Sequence, residues 1–115
     1  MVQRKNKNYK KANLALKEAV KELSIGYKPE KIILYGSLSQ GKVTDSSDID
    51  LVIIKKTPKD PWQRLKEADN YLSHRFPIDF LVYTPAEIKQ RLKMEDPFVE
   101  NFVNKGKVVY EKKAI

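Results

Sequence analysis

Asp48 and Asp50 stand two residues apart at the head of an apolar run that continues to Ile54. If that run is a strand, side-chain alternation sends both carboxylates to the same face. Like charges so placed repel unless a cation lies between them, and hard oxygen ligands of this kind suit magnesium or manganese. Asp79 occupies the second position of another apolar run, Ile78 to Tyr83. If the two strands are neighbours, the third carboxylate joins the first pair. Three carboxylates can hold two metal ions about 3.5–4 Å apart, an arrangement suited to in-line phosphoryl chemistry.

Each aspartate also has a plainer reading. Asp48 could be an exposed strand cap. That reading is poor for Asp50, because an unpaired carboxylate inside an apolar strand is costly. Asp79 is likewise flanked by Ile78 and Phe80. The three together, with a glycine turn upstream, favour chemistry over structure.

That turn is Gly36-Ser37. A glycine straight after a strand lets a phosphate approach the backbone closely. Ser37 can cap a short helix and offer hydroxyl and N–H to a phosphate oxygen. Gly41 lets that helix end abruptly. Gly36, Gly41 and Lys42 also satisfy G-x-x-x-x-G-K, the P-loop pattern. Val43 follows, however, where a P-loop needs Ser or Thr for magnesium, and Thr44-Asp45-Ser46-Ser47-Asp48 reads as a loop. The P-loop is set aside.

Several elements must position these groups. From Tyr9 to Ser24 the residues Ala12, Leu16, Ala19, Val20 and Leu23 recur at helical spacing, and Gly26 is a stop signal. Lys31 to Tyr35 is a buried strand between Pro29 and Gly36. The run from Asp48 to Ile54 is a second strand covered on both faces. Asp60-Pro61 opens a helix whose inward stripe is Trp62, Leu65, Ala68 and Leu72. His74 near its end is expected to be exposed. Ile78 to Tyr83 is the third strand. Thr84 and Glu87 have capping-box spacing before a helix with Ile88 and Leu92 inward. Asp96-Pro97 caps a helix carrying Phe98, Val99, Phe102 and Val103, which Gly106 ends. Lys107 to Tyr110 is a last short strand. The fold class is α/β (α+β), a small mixed sheet of three to four strands with helices packed against it.

The chain has 115 residues, 41% hydrophobic and 33% charged, which is the size of one domain with one core. There is no cysteine, so disulfides, thiolate metal sites and cysteine nucleophiles are excluded. No apolar run approaches the roughly 20 residues that span a bilayer, and the first residues lack the apolar stretch of a secretory signal. A cytoplasmic protein with no membrane contact is expected. The net charge of +8 should attract anionic substrates or polyanions. Arg4, Lys5, Lys7, Lys10 and Lys11 make residues 1–11 basic, a solvated tail or a nucleic-acid contact.

Gly36-Ser37, ten intervening residues and Asp48-Ile49-Asp50 resemble the signature of the polymerase-beta-like nucleotidyltransferase superfamily. The resemblance extends to Lys28 through Tyr35, to Ser47 and to Asp79 as the third acid, and covers about residues 25 to 111. It is greatest with the minimal nucleotidyltransferases, which are similar to the catalytic domain of kanamycin nucleotidyltransferase. Members often carry an Arg-Ala-Arg-like trio where this chain has Leu38-Ser39-Gln40, so that phosphate grip is missing here, and Lys42 is the candidate to compensate.

The resemblance implies a nucleotidyltransferase fold and a metal-dependent transfer of NMP, with ATP giving AMP, from a nucleoside triphosphate to a hydroxyl, with loss of pyrophosphate. Asp48, Asp50 and Asp79 would be the catalytic and metal-binding residues, for two Mg2+ or Mn2+ ions. Gly36, Ser37, Gly41, Lys42 and Ser47 would contact the nucleotide. Minimal nucleotidyltransferases are commonly paired with a HEPN-domain protein, some as antitoxins that adenylylate it. A HEPN partner, or a homodimer, is therefore implied. Two other readings stand beside this one. The chain could neutralise a partner by contact alone, or it could modify a small molecule or an RNA end.

Overall fold

Pro29 and Gly36 bracket the first strand, β1 (Lys31–Tyr35), in which Ile32, Ile33 and Leu34 are buried. In this computed structural model the described residues are 6–36, 49–73 and 76–113. The second strand, β2 (Ile49–Ile54), runs antiparallel to β1, from Tyr35 opposite Asp50 to Lys31 opposite Ile54. Ile49, Leu51, Val52 and Ile53 are fully buried, so this strand is covered on both faces as its apolar run predicts. The third strand, β3 (Ile78–Tyr83), lies parallel to β2. The fourth, β4 (Lys107–Glu111), is antiparallel to β1 and gives the sheet order β3-β2-β1-β4.

Helix α1 (Asn6–Glu22) packs Ala12, Leu16 and Ala19 onto one face of the sheet. It begins three residues before the periodicity predicts. It also does not stop at Gly26. The chain widens into a π-helical turn (Leu23–Tyr27), in which the Lys28 N–H donates to the Leu23 carbonyl, and ends at Lys28, whose φ of 58° is left-handed. Gly26 serves a different purpose. A Cβ there would lie 2.2 Å from Cδ1 of Tyr71, so the missing side chain admits that ring.

The β2-to-β3 crossover is helix α2 (Pro61–Asp69), started by a capping box between Asp60 and Gln63 with Pro61 at the first position. Of the expected stripe Leu65, Ala68 and Leu72 face the core, and only Trp62 does not. Trp62 is 68% exposed, whereas Arg64 and Ala68 are buried. Arg64 is drawn inward by Glu87, to which it donates two hydrogen bonds of 2.8 and 3.1 Å. Glu87 belongs to helix α3 (Pro85–Lys93), and its Oε1 also accepts the Thr84 N–H at 2.9 Å. One carboxylate thus closes a capping box and ties α2 to α3.

Helix α4 (Pro97–Lys105) is capped by Asp96, whose Oδ1 accepts the N–H groups of Phe98 and Val99 at 3.0 and 3.3 Å. Gly106 follows it as the C-cap. Val99 and Phe102 are buried with Ile33 and Val52, and Ile88 and Leu92 of α3 pack beside them. α1 and α2 therefore cover one sheet face and α3 and α4 the other. Full burial of an Ile, Val, Leu or Phe side chain is worth about 1.5–3 kcal/mol, so both layers hold the sheet firmly. Among the described residues no helix is long and apolar enough to cross a membrane.

Candidate active site

At one end of the sheet β1 finishes while β2 and β3 begin. Tyr35 stands opposite Asp50, and Asp50 opposite Asp79, so the three form a row across three strands. Side chains in register on neighbouring strands share a face. Asp50 lies on the face of Val52 and Ile54, and Asp79 on that of Tyr83, which is the side carrying α3 and α4. Asp50 is half-buried and Asp79 exposed. The condition set by the sequence, that the two strands be neighbours, is met.

Gly36 leaves β1 directly beside this row. Its φ is +82°, a conformation that L side chains rarely adopt. A Cβ there would lie 2.6 Å from Asp50 Oδ2. Only glycine lets the backbone turn so close to the carboxylate.

Aromatic rings wall the row on the β1 side. Phe98 meets Tyr35 edge to face, with centroids 5.6 Å apart, and meets Phe102 at 5.4 Å. Tyr83 lies 5.8 Å from Phe102. Burial raises the Tyr35 phenol above its ordinary pKa, and the negative charges of Asp50 and Asp79 raise it further. Tyr35 is therefore a neutral phenol near neutral pH. The sequence reading placed Tyr35 only in a strand. Its position immediately before Gly36, at the strand end where Asp50 starts the next, was the available signal.

Asp48, Ser37, Gly41, Lys42 and Ser47 lie outside the described residues, as does His74. Among the described residues no three metal-ligating side chains cluster. Two hard carboxylates on adjacent strands, sharing a face, nonetheless fit a divalent cation in donor type. A separate concavity of about 600 Å³ lies at the opposite end of the sheet, lined by Ile54, Pro85 and Ile88 with Lys31, Lys112 and Lys113. It includes neither carboxylate.

The mixed sheet with its two helical layers has a counterpart among known proteins. Residues 16–115 match the model of the family described as polymerase beta, nucleotidyltransferase, and the chain belongs to that family. The fold is similar to that of a solved structure described as a "putative nucleotidyltransferase" from Sulfolobus solfataricus. That likeness has a TM-score of 0.67 at 20% identity, and covers 92% of this chain and 86% of the other. No curated protein matches it significantly.

Proposed function

We propose that the chain is a minimal nucleotidyltransferase, akin to the kanamycin nucleotidyltransferase catalytic domain, that moves AMP from ATP to a hydroxyl of a docked protein. The observation that carries this reading is the pairing of Asp50 with Asp79 on one face, beside the Gly36 turn. Family membership supports nucleotidyl transfer in general.

Asp50 and Asp79, joined by Asp48, would hold Mg2+, two ions by family resemblance, with Mn2+ able to substitute. Such ions, when bound, neutralise the negative charge of the transferred phosphoryl group. The remaining work falls to the chain. The bare backbone at Gly36 gives phosphate oxygens close approach, with Ser37, Gly41, Lys42 and Ser47 as further contacts. The exposed carboxylate of Asp79 accepts the proton of the attacking hydroxyl. The hydroxyl oxygen then bonds to the α-phosphorus, the bond to the bridging oxygen breaks, and pyrophosphate leaves. No histidine or cysteine is needed, because positioning and electrostatics supply the rate.

The acceptor is a partner protein, of the HEPN type by the same resemblance. The exposed Asp79 suits a surface that a second chain completes. Docking can contribute up to roughly 7–11 kcal/mol through orientation alone. Incubating the chain with ATP, Mg2+ and the protein encoded beside it should add one AMP to that partner, read by intact mass. Rapid modification of small alcohols without any partner would overturn the docked-acceptor reading.

A further inference from the structure

We propose that the concavity at the far end of the sheet from Asp50 and Asp79 docks an acidic segment of a partner chain, anchored by an aliphatic side chain. The site is separate from the carboxylate row and does not depend on nucleotidyl transfer. It adds to that reading a place where a protein is gripped.

At this end β1 starts, and β2, β3 and β4 finish. Glu111 stands opposite Lys31, and Lys31 opposite Ile54, so the three form a row across three strands. Pro85 and Ile88 of α3 close a concavity of about 600 Å³ around them. Sites that enclose organic ligands run from about 300 to 1,000 Å³, well beyond the need of a lone anion. Ile54 and Ile88 are half-buried, while Lys112 and Lys113 at the margin are exposed. The two carboxylates here are already engaged. Glu30 Oε1 accepts the Lys56 N–H at 2.8 Å, and Glu111 pairs with Lys31 at 3.5 Å. Lys112 and Lys113 have no ion-pair partner among the described residues. The backbone holds this margin in place, because the Lys112 N–H donates to the Glu30 carbonyl at 2.8 Å. The ligand must therefore bring negative charge beside an apolar group. Nucleic acid brings the charge, but its bases stack on aromatic rings, and among the described residues no aromatic side chain lines this concavity. A second copy of the chain carries a net charge of +8 itself and is repelled. An acidic peptide with an aliphatic residue meets both demands. Ile54 lies four residues beyond Asp50 on the same face of β2, about 13 Å along the strand. One globular partner can span both places.

The test titrates a fluorescent peptide, two leucines flanked on each side by three glutamates, by anisotropy without ATP or Mg2+. The parent should bind it saturably, and the amide NMR signals of Lys31, Ile54 and Ile88 should shift. Serines in place of the leucines should weaken binding about tenfold. The double variant Lys112→Glu/Lys113→Glu, altered only at exposed positions, should weaken the leucine peptide about tenfold as well. Asp50→Asn/Asp79→Asn should bind the peptide as the parent does, which separates this site from the carboxylate row. The inference is overturned if no saturable binding is found, if the serine peptide binds equally, or if either the lysine reversal has no effect or the aspartate variant loses binding. Tighter binding of an oligouridylate of equal charge, abolished by the lysine reversal, also overturns it and makes this end a nucleic-acid contact. None of these outcomes bears on ATP binding, so the nucleotidyl-transfer reading stands or falls separately.

Discussion

The backbone of Gly36 passes so close to Asp50 that a methyl group added to the glycine would sit 2.6 Å from Asp50 Oδ2. The same glycine has φ +82°. Gly36→Ala should therefore act twice, through left-handed strain of about 1–2 kcal/mol and through displacement of the carboxylate. Expected is a modest loss in urea-unfolding stability together with a loss of nucleotide affinity. Unchanged affinity in a folded Gly36→Ala protein would show that the turn and the carboxylate are not one site.

Arg64 and Glu87 give a second prediction. Arg64 is buried and donates to Glu87 as well as to the Lys59 carbonyl at 2.7 Å. Glu87 is about one-third exposed, so the pair lies between the surface and buried extremes. Glu87→Ala should cost about 2 kcal/mol, between under roughly 1 for surface pairs and roughly 3–5 for buried ones. Arg64→Met, of similar volume, should cost less than Glu87→Ala, which leaves a buried guanidinium unpaired. Chemical denaturation of the two variants checks the order.

The same pair sets an acid dependence. Burial works to raise the Glu87 pKa. Hydrogen bonds from Arg64 and the Thr84 N–H, with the Arg64 and Arg91 charges, outweigh it and hold the carboxyl below its ordinary value of 4.5. In the window between the folded and ordinary values the unfolded chain binds more protons. Stability from this group is full above that ordinary value and is lost as pH falls through the folded one. Glu87→Gln should flatten this acid limb relative to the parent in melts taken at successively lower pH.

Tyr27 supplies the alkaline counterpart. Its hydroxyl is buried with no hydrogen-bond partner among the described residues, and Lys55 lies 4.0 Å from its ring centroid. Tyr27→Phe keeps the ring and removes the unsatisfied group, so stability at neutral pH should hold or rise. Burial first, then the Glu67 charge, pushes the phenol up to about 12. The unfolded chain loses this proton from its ordinary pKa of 10.0 upward, so the parent weakens between there and about 12. The Phe variant lacks that component, and the difference between the two melting curves should widen with pH above 10.0.

Much of this fold is legible in the chain because local signals agree. The apolar run bracketed by Pro29 and Gly36 marks β1, and the run from Ile78 to Tyr83 marks β3, at their observed ends. The caps at Asp60, Thr84 and Asp96 start three helices where their side-chain chemistry requires. What escaped depends on non-local partners. Trp62 belongs to a good apolar stripe, yet α2 turns Arg64 inward instead, because Glu87 waits on an element twenty-odd residues away. Gly26 reads as a stop, yet it accommodates Tyr71. The Asp50–Asp79 match was conditional for the same reason. Strand neighbours are set by topology, and no local pattern records them.

If Asp50 and Asp79 together hold the metal-bound nucleotide, calorimetric titration of ATP with and without Mg2+ reads it at once. The parent should bind ATP only with the metal present. Asp50→Asn and Asp79→Asn should each abolish that binding while remaining folded, with stability unchanged or slightly raised as like charges in register are relieved. Equal Mg2+-dependent ATP binding by the parent and the Asp50→Asn/Asp79→Asn double variant would mean that the two carboxylates do not hold the nucleotide.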